Sequence, residues 1–180
     1  MIMKKIMFND KYGLTQAVLD GRKTMTRRVV KGEIPLGNWE ETEKYAPYQV
    51  GEVVAIAQSY KDIYNDAYHI GLYGRTAGWT NKMYVAAYRM PHHIKITNIR
   101  VEHLQDISDE DCWREGIYKK KLEYTPSGYN PNRMYYTFDG IGYCFNDARD
   151  AFAALIDKVS GRGTWDSNPL VWVYEFELVD

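Results

Sequence analysis

The 180-residue sequence predicts one α+β domain: a mixed, mostly antiparallel sheet closed into a small β-barrel, with a few short flanking helices. Three observations predict this class. Residues 170–178 alternate large apolar side chains with other residues, as a strand with one core face does. Helices are few and short, and at least one carries its own capping residue. Successive strand–helix–strand units are missing, which argues against a doubly wound parallel sheet.

The N-terminal part predicts two strands, a helix and a loop. Residues 2–7 form a short apolar run, and residues 50–60 are apolar enough for a largely buried strand. Between them, residues 10–20 carry apolar side chains at helical spacing and are followed by Gly21, a usual helix stop. Residues 31–49 contain several glycines and prolines and predict a loop.

A strand is predicted over 82–89, and a longer one follows in the stretch HHIKITNIRVEHL. In the longer strand Ile94 and Ile96 share one face, whereas Ile99 and Val101 are out of phase with them. A phase slip of one residue inside a strand indicates a β-bulge.

Two helices are predicted in the C-terminal half. Over 108–116, Ser108 is the N-cap and Gly116 the stop. Over 146–160, apolar residues recur at helical spacing until Gly161.

Composition excludes several functional classes. Net charge is −1, so any anion binding needs a local positive patch. Cys112 and Cys144 are far apart, which argues against a disulfide framework and a zinc site. The four histidines lack metal-ligand spacing, so neither a metal nor another cofactor is predicted. No apolar run is long enough for a membrane span, and a cytoplasmic location is expected; the oligomeric state stays open.

The stretch GRKTMTRR, residues 21–28, concentrates positive charge. A solvated charged loop is one interpretation. The other is an anion site, because hydroxyl groups stand among the cations and both groups bind phosphate. The predicted ligand-binding residues here are Arg22, Thr24, Arg27 and Arg28.

Lys23 and Thr26 suggest chemistry within that stretch. Neighbouring cations and burial both lower the pKa of a lysine, and a neutral lysine is a general base for a hydroxyl group. The two side chains face each other if the chain turns here and point apart if it is fully extended.

The stretches GRKTMTRR, VGEVV, ISDEDCWREGI and WVYEFEL together resemble the ASCH-domain family of the PUA-like superfamily, in the type common in phages and mobile elements. The resemblance covers both ends and the middle of the chain. It is weakest around 32–49, 60–82 and 118–145, and the latter two are expected to be insertions in a single domain spanning 1–180. It implies a small barrel whose cleft binds RNA or a modified nucleoside or nucleotide.

One branch of that family, the N4-acetylcytidine amidohydrolases, uses a lysine, a threonine and a glutamate. Their first two residues lie in a segment like GRKTITIR, which matches Lys23 and Thr26 by position. Their glutamate matches Glu115. The resemblance implies that Thr26 attacks the acetyl carbonyl, Lys23 takes its proton and Glu115 manages the leaving amine. Arg27 stands where those enzymes carry an apolar residue.

Other residues keep two interpretations. Glu52 lines the same cleft or is a solvated residue at a strand start. Tyrosines are frequent over 60–88 and 118–143, where they stack bases or fill half-buried loops. Tyr135 and Tyr136 beside Arg133 form the best stacking group.

Three functions are therefore predicted, in this order. The first is an RNA- or nucleotide-binding ASCH-domain protein with a basic cleft. The second is an amidohydrolase acting on an N4-acylated cytidine-type nucleoside. The third is a mobile-element module that binds an acidic protein partner.

Overall fold

The computed structural model of the chain describes residues 3–121, 134–138 and 144–180. Its strands are β1 (Lys5–Ile6), β2 (Met25–Val29), β3 (Val53–Ile56), β4 (His93–His103), β5 (Tyr118–Lys121), β6 (Met134–Thr137) and β7 (Leu170–Leu178). Its α-helices are α1 (Leu14–Leu19), α2 (Trp39–Thr42), α3 (Tyr60–Ile63), α4 (Ala67–Tyr73), α5 (Asp109–Arg114), α6 (Ala148–Ser160) and α7 (Thr164–Ser167).

Five strands form one sheet in the order β1-β3-β4-β7-β2, and β5 pairs with β6 in a second sheet. β1 runs parallel to β3, and the remaining pairs are antiparallel. The predicted α+β class with a mixed, mostly antiparallel sheet is confirmed. Among the described residues no backbone ladder joins the end strands β1 and β2, so this part of the chain shows no closed barrel.

The bulge predicted from the phase slip is confirmed in β4. Ile96 pairs with Phe176 and Asn98 pairs with Glu175, so the residue between them is extra to the ladder with β7. The extra residue restores an inward direction to the second half of the strand, where Ile99 is buried like Ile96.

The capped helices and the last strand also match their patterns. Ser108 begins α5 and its side chain accepts a hydrogen bond from the backbone N–H of Asp111. α6 begins after Asp147 and ends at Gly161, and its buried stripe joins the main core cluster with the sheet. β7 spans the predicted residues 170–178.

The strand predicted over 82–89 is wrong. This segment forms two 3-10 turns, Lys82–Tyr84 and Ala87–Arg89. The Asn81 side chain accepts from the N–H of Met83 and starts the first turn, a local bond that competes with strand pairing. Both edges of the neighbouring β3 are already paired, with β1 and β4.

Other predicted boundaries are corrected by backbone geometry. The helix expected over 10–20 is divided at Gly13, whose φ of 66° ends a 3-10 turn before α1 begins. The strand expected over 50–60 is limited to β3, and the loop expected over 31–49 contains the short α2. The strand expected over 2–7 is limited to β1, and residue 2 lies outside the described residues.

No helix of the described residues is long and apolar enough to cross a membrane.

Candidate functional site

Backbone hydrogen bonds join the basic stretch to the end of α5 and to α1. The N–H of Thr24 donates to the carbonyl of Arg114 at 2.9 Å, and the N–H of Lys23 donates to the carbonyl of Ala17 at 2.8 Å. The chain then becomes β2, so the second half of the stretch is a strand and not a loop. This arrangement brings residues 23–28 against Glu115, which is about ninety positions later in the chain.

Lys23 and Glu115 form a buried ion pair. Lys23 Nζ lies 2.5 Å from Glu115 Oε2 and 2.8 Å from the Glu115 carbonyl oxygen. The side chains are 2% and 5% exposed. Burial lowers the pKa of Lys23 below its ordinary value, although the Glu115 carboxylate acts in the opposite direction.

Gly116, which follows Glu115, has a backbone conformation that favours glycine. Its φ of 105° lies in the left-handed region, where a side chain is strained. Space does not require glycine here, because a Cβ at residue 116 would be at ordinary contact distance, 3.5 Å from Leu14 Cδ2 and 3.7 Å from Lys23 Cδ.

A cavity of about 480 Å³ opens beside the ion pair. Lys23, Thr26 and Glu115 line it together, as their predicted roles require. One wall is the apolar stripe of α6, and the rim is formed by residues 7–11 and Lys82. The lining includes Lys23, Thr26, Arg27, Arg28, Glu115 and Phe152.

Thr26 is 4% exposed and borders the cavity. Its hydroxyl has no hydrogen-bond partner among the described residues, and Lys23 Nζ donates to the carboxylate and to the backbone carbonyl of Glu115 instead. β2 begins at Met25, between Lys23 and Thr26, so the segment that joins them is only partly strand, and both side chains border the same cavity.

Arg27 is neutralised by carboxylates. Its fully buried guanidinium lies 2.6 Å from Glu102, 2.8 Å from Asp111 and 3.2 Å from Glu115. Burial disfavours the charge, but these carboxylates outweigh that effect and raise the pKa of Arg27 further. The part of its side chain that borders the cavity is therefore not a free cation.

The carboxylates around Arg27 belong to a larger network. Arg100 bonds to Glu102, Asp111 and Glu175, and Arg114 bonds to Glu175. The cations of this network are Lys23, Arg27, Arg100 and Arg114, and its carboxylates are Glu102, Asp111, Glu115 and Glu175. The charges balance. The sequence does not predict this network, because its acids come from β4, β7 and the region of α5, which are far from the basic stretch along the chain.

Arg28 differs from its neighbour. Its Nη2 donates to the carbonyl of Met7, its Nε is closed to solvent without an acceptor, and no carboxylate pairs with it among the described residues. Its guanidinium carbon lies 5.8 Å from the centre of the Phe8 ring. Burial lowers the pKa of Arg28 below its ordinary value.

The remaining predicted ligand-binding residues are not brought to this cavity. Arg22 is exposed and pairs with Asp20 at 3.0 Å. Thr24 lies against Arg114, at a side-chain distance of 3.4 Å. Glu52 pairs with Lys4 and accepts from the N–H of Gln49, the strand-edge role that was its second interpretation.

The predicted stacking group of Tyr135, Tyr136 and Arg133 lies only partly within the described residues. Tyr135 is buried, Tyr136 is half-buried under Lys119 at 5.1 Å, and Arg133 lies outside the described residues. In the described part of the chain no cluster of three His, Cys, Asp or Glu side chains is placed to hold a metal ion.

Comparisons with known proteins leave the family open. No family model and no curated protein matches the chain. One solved structure is similar, that of protein EF3133 from Enterococcus faecalis V583, described with the family model DUF984. The two chains are 15% identical, the alignment covers 100% of this chain and 82% of that one, and the TM-score is 0.46. A similarity at this level supports neither a shared fold nor a shared function.

Proposed function

We propose that the protein hydrolyses the amide of an N4-acylated cytidine-type nucleoside in the cavity beside β2. The observation that carries this proposal is the convergence of Lys23, Thr26 and Glu115 on that cavity, from segments far apart in sequence. A buried lysine–carboxylate pair that borders the same cavity as a threonine hydroxyl without a partner among the described residues is an arrangement suited to activating that threonine as a nucleophile.

The size and charge of the cavity favour a small ligand over a stretch of RNA. About 480 Å³ is within the range of small-molecule sites. Lys23 and Arg27 are each paired with carboxylates, so the basic stretch does not form the continuous positive surface that a polyanion binds. A nucleoside that enters the cavity meets one apolar wall from α6 and the polar residues of β2.

The first half of the reaction forms an acyl-threonine ester. Lys23 passes its extra proton to Glu115, and burial favours the resulting neutral pair. Thr26 Oγ then bonds to the acyl carbon while its proton moves to the Lys23 amine. The Lys23 ammonium that results stabilises the tetrahedral oxyanion.

Collapse of that intermediate breaks the bond between the acyl carbon and N4. Glu115 gives its proton to the departing nitrogen, which leaves as the free amine of the cytosine ring. Water then attacks the ester, with Glu115 taking one of its protons, and Lys23 returns a proton to the Thr26 oxygen as the carboxylic acid leaves. Glu115 finally passes its proton back to Lys23, which restores the ion pair and all three side chains.

A binding function without chemistry is the second candidate. It is favoured by the contact of Lys23 Nζ with Glu115, which leaves the Thr26 hydroxyl without a base in the structure as described. Substrate binding has to bring Lys23 and Thr26 together for the hydrolase, as the geometry of unliganded sites often requires.

The proposal also assigns the chain to the ASCH family and its sheet to a PUA-like barrel. The order of the motifs along the chain supports this assignment. A side-chain link between the end strands gives additional support, because Arg28 of β2 donates to the carbonyl of Met7, just after β1.

The test is release of acetate from N4-acetylcytidine by the purified protein and by Glu115→Gln. Wild type should release acetate. Glu115→Gln should bind the nucleoside with similar affinity, but its turnover should be at least about 100-fold slower, since it lacks the transferable proton. Binding without release by wild type would support the second candidate instead.

A further inference from the structure

We infer that Arg28 anchors an anionic group of the ligand, so that the site takes a phosphorylated nucleoside in preference to the free nucleoside. The inference rests on the proposed function for the location of the nucleoside. It goes beyond that function because it names the substrate class and a residue that sets specificity.

Arg28 lacks a carboxylate counter-ion among the described residues. Burying a cation is costly unless it is paired, and the buried cations Lys23 and Arg27 are paired with carboxylates. Arg28 is half-buried, and its Nε is closed to solvent. Arg28 has one backbone carbonyl and the Phe8 ring, while its Nε and Nη1 have no acceptor among the described residues. Donors in a planar fork suit two oxygens of a phosphate.

Arg28 lines two cavities, that of the catalytic candidates and a second one of about 480 Å³. The walls of the second cavity include Tyr48 and Trp172. A ligand that extends past Thr26 therefore reaches Arg28 next.

Thr26 and Arg28 are two positions apart on β2, so their side chains leave the same face of the strand. Their Cα atoms are about 7 Å apart, which a nucleotide spans between its base and its phosphate. Arg27 lies between them in sequence but has its charge satisfied by acids, so it does not compete for the phosphate.

The other cations near the second cavity are less suited to this role. Lys5 Nζ is bonded to the carbonyl oxygens of Lys82, Met83 and Val85, which occupy its three N–H donors. Lys31 is exposed, so water already solvates its charge.

The experiment is calorimetric titration of cytidine and of cytidine 5′-monophosphate into the wild type, Arg28→Gln and Arg22→Gln. Arg22→Gln is the matched control, because Arg22 belongs to the same basic stretch but is exposed and outside both cavities. In the wild type the phosphate should tighten binding about 10- to 100-fold, the effect expected of charge-assisted hydrogen bonds. Arg28→Gln should lose that preference, and Arg22→Gln should keep it.

Neither ligand carries an acyl group, so the result does not depend on turnover. Equal binding of cytidine and the monophosphate by the wild type would overturn the inference and leave the hydrolase proposal intact. A preference retained in Arg28→Gln would overturn it too, as would failure of the monophosphate to bind, while acetate release from N4-acetylcytidine decides the hydrolase proposal separately.

A melting curve checks that Arg28→Gln is folded. If it is not, Arg28→Lys replaces it and should keep only part of the preference, because an ammonium group lacks the planar fork. Competition by inorganic phosphate should weaken monophosphate binding to the wild type; no competition would contradict a phosphate site.

Discussion

Arg27 and Arg28 are consecutive residues of one strand, yet their polar partners differ. The Arg27 guanidinium is enclosed by Glu102, Asp111 and Glu115, in a network where positive and negative charges balance. The Arg28 guanidinium has a single backbone carbonyl and an aromatic ring. Alternation of side chains along a strand separates the two environments.

The difference teaches how a short basic stretch serves two purposes. One face of β2 uses its charge to join β4 and α5, and removing a partner there leaves an unpaired buried acid. On the other face, among the described residues, Thr26 has no hydrogen-bond partner and Arg28 has no carboxylate partner, and polar groups left unsatisfied beside a cavity are available to a ligand.

The largest effect is expected at Thr26. Thr26→Ala should lower acetate release about 1000-fold or more, because it removes the nucleophile, while the melting temperature changes little. The measurement is turnover of N4-acetylcytidine. Thr24→Ala is the matched control, since Thr24 lies outside the cavity lining and should keep its activity. Acetate release that persists in Thr26→Ala would show that Thr26 is not the nucleophile.

Arg27→Gln should be the most destabilising change on the opposite face. It leaves carboxylates without their main cation and should lower the free energy of unfolding by about 3 kcal/mol. Urea denaturation at neutral pH measures this. Arg100 also bonds to Glu102 and Asp111, and a loss well under 1 kcal/mol would mean that Arg100 alone satisfies them.

The ion pair of Lys23 should give stability a pH dependence. Burial lowers the pKa of Lys23 in the folded protein, whereas the unfolded chain keeps a value of about 10.4. Between these two pKa values the unfolded chain binds more protons, so stability rises with pH, by at most about 1.4 kcal/mol per pH unit. Denaturation from about pH 7 to 10 should show this rise relative to Lys23→Met/Glu115→Gln.

That double variant removes both partners and leaves no unpaired charge from the pair. A difference between it and wild type that is constant or falls with pH would show that Lys23 keeps its proton throughout this range.

The smallest effect is expected at Arg28. Arg28→Gln removes a cation without a carboxylate partner and should change the free energy of unfolding by about 1 kcal/mol or less, in either direction. The same denaturation series measures it beside Arg27→Gln. Equal losses at the two arginines would erase the contrast between the two faces.

The sequence predicted those structural features whose signals lie within a few residues of the feature itself. The phase slip between Ile96 and Ile99 predicted the bulge, and Ser108 predicted the start of α5, because both signals lie within a few residues of the feature. The strand predicted over 82–89 was wrong because pairing depends on a free edge of a neighbouring strand, which the segment's own sequence does not show.

The candidate site, too, was predictable in part: its three central residues were, and the partners of Arg27 were not. The resemblance to the amidohydrolases named Lys23, Thr26 and Glu115, and all three border one cavity. The partners of Arg27 were not predictable, because Glu102 and Asp111 are distant in sequence and look like ordinary surface acids. The contrast between Arg27 and Arg28 therefore emerges only when the sheet and α5 are assembled.

A crystal structure with bound cytidine 5′-monophosphate tests the central claim most directly. We expect the base beside Thr26, a phosphate oxygen within about 3 Å of the Arg28 guanidinium, and Arg27 still bonded to Glu102 and Asp111. A phosphate held by Arg27, with its carboxylates released and Arg28 untouched, would contradict the division of roles between the two faces of β2.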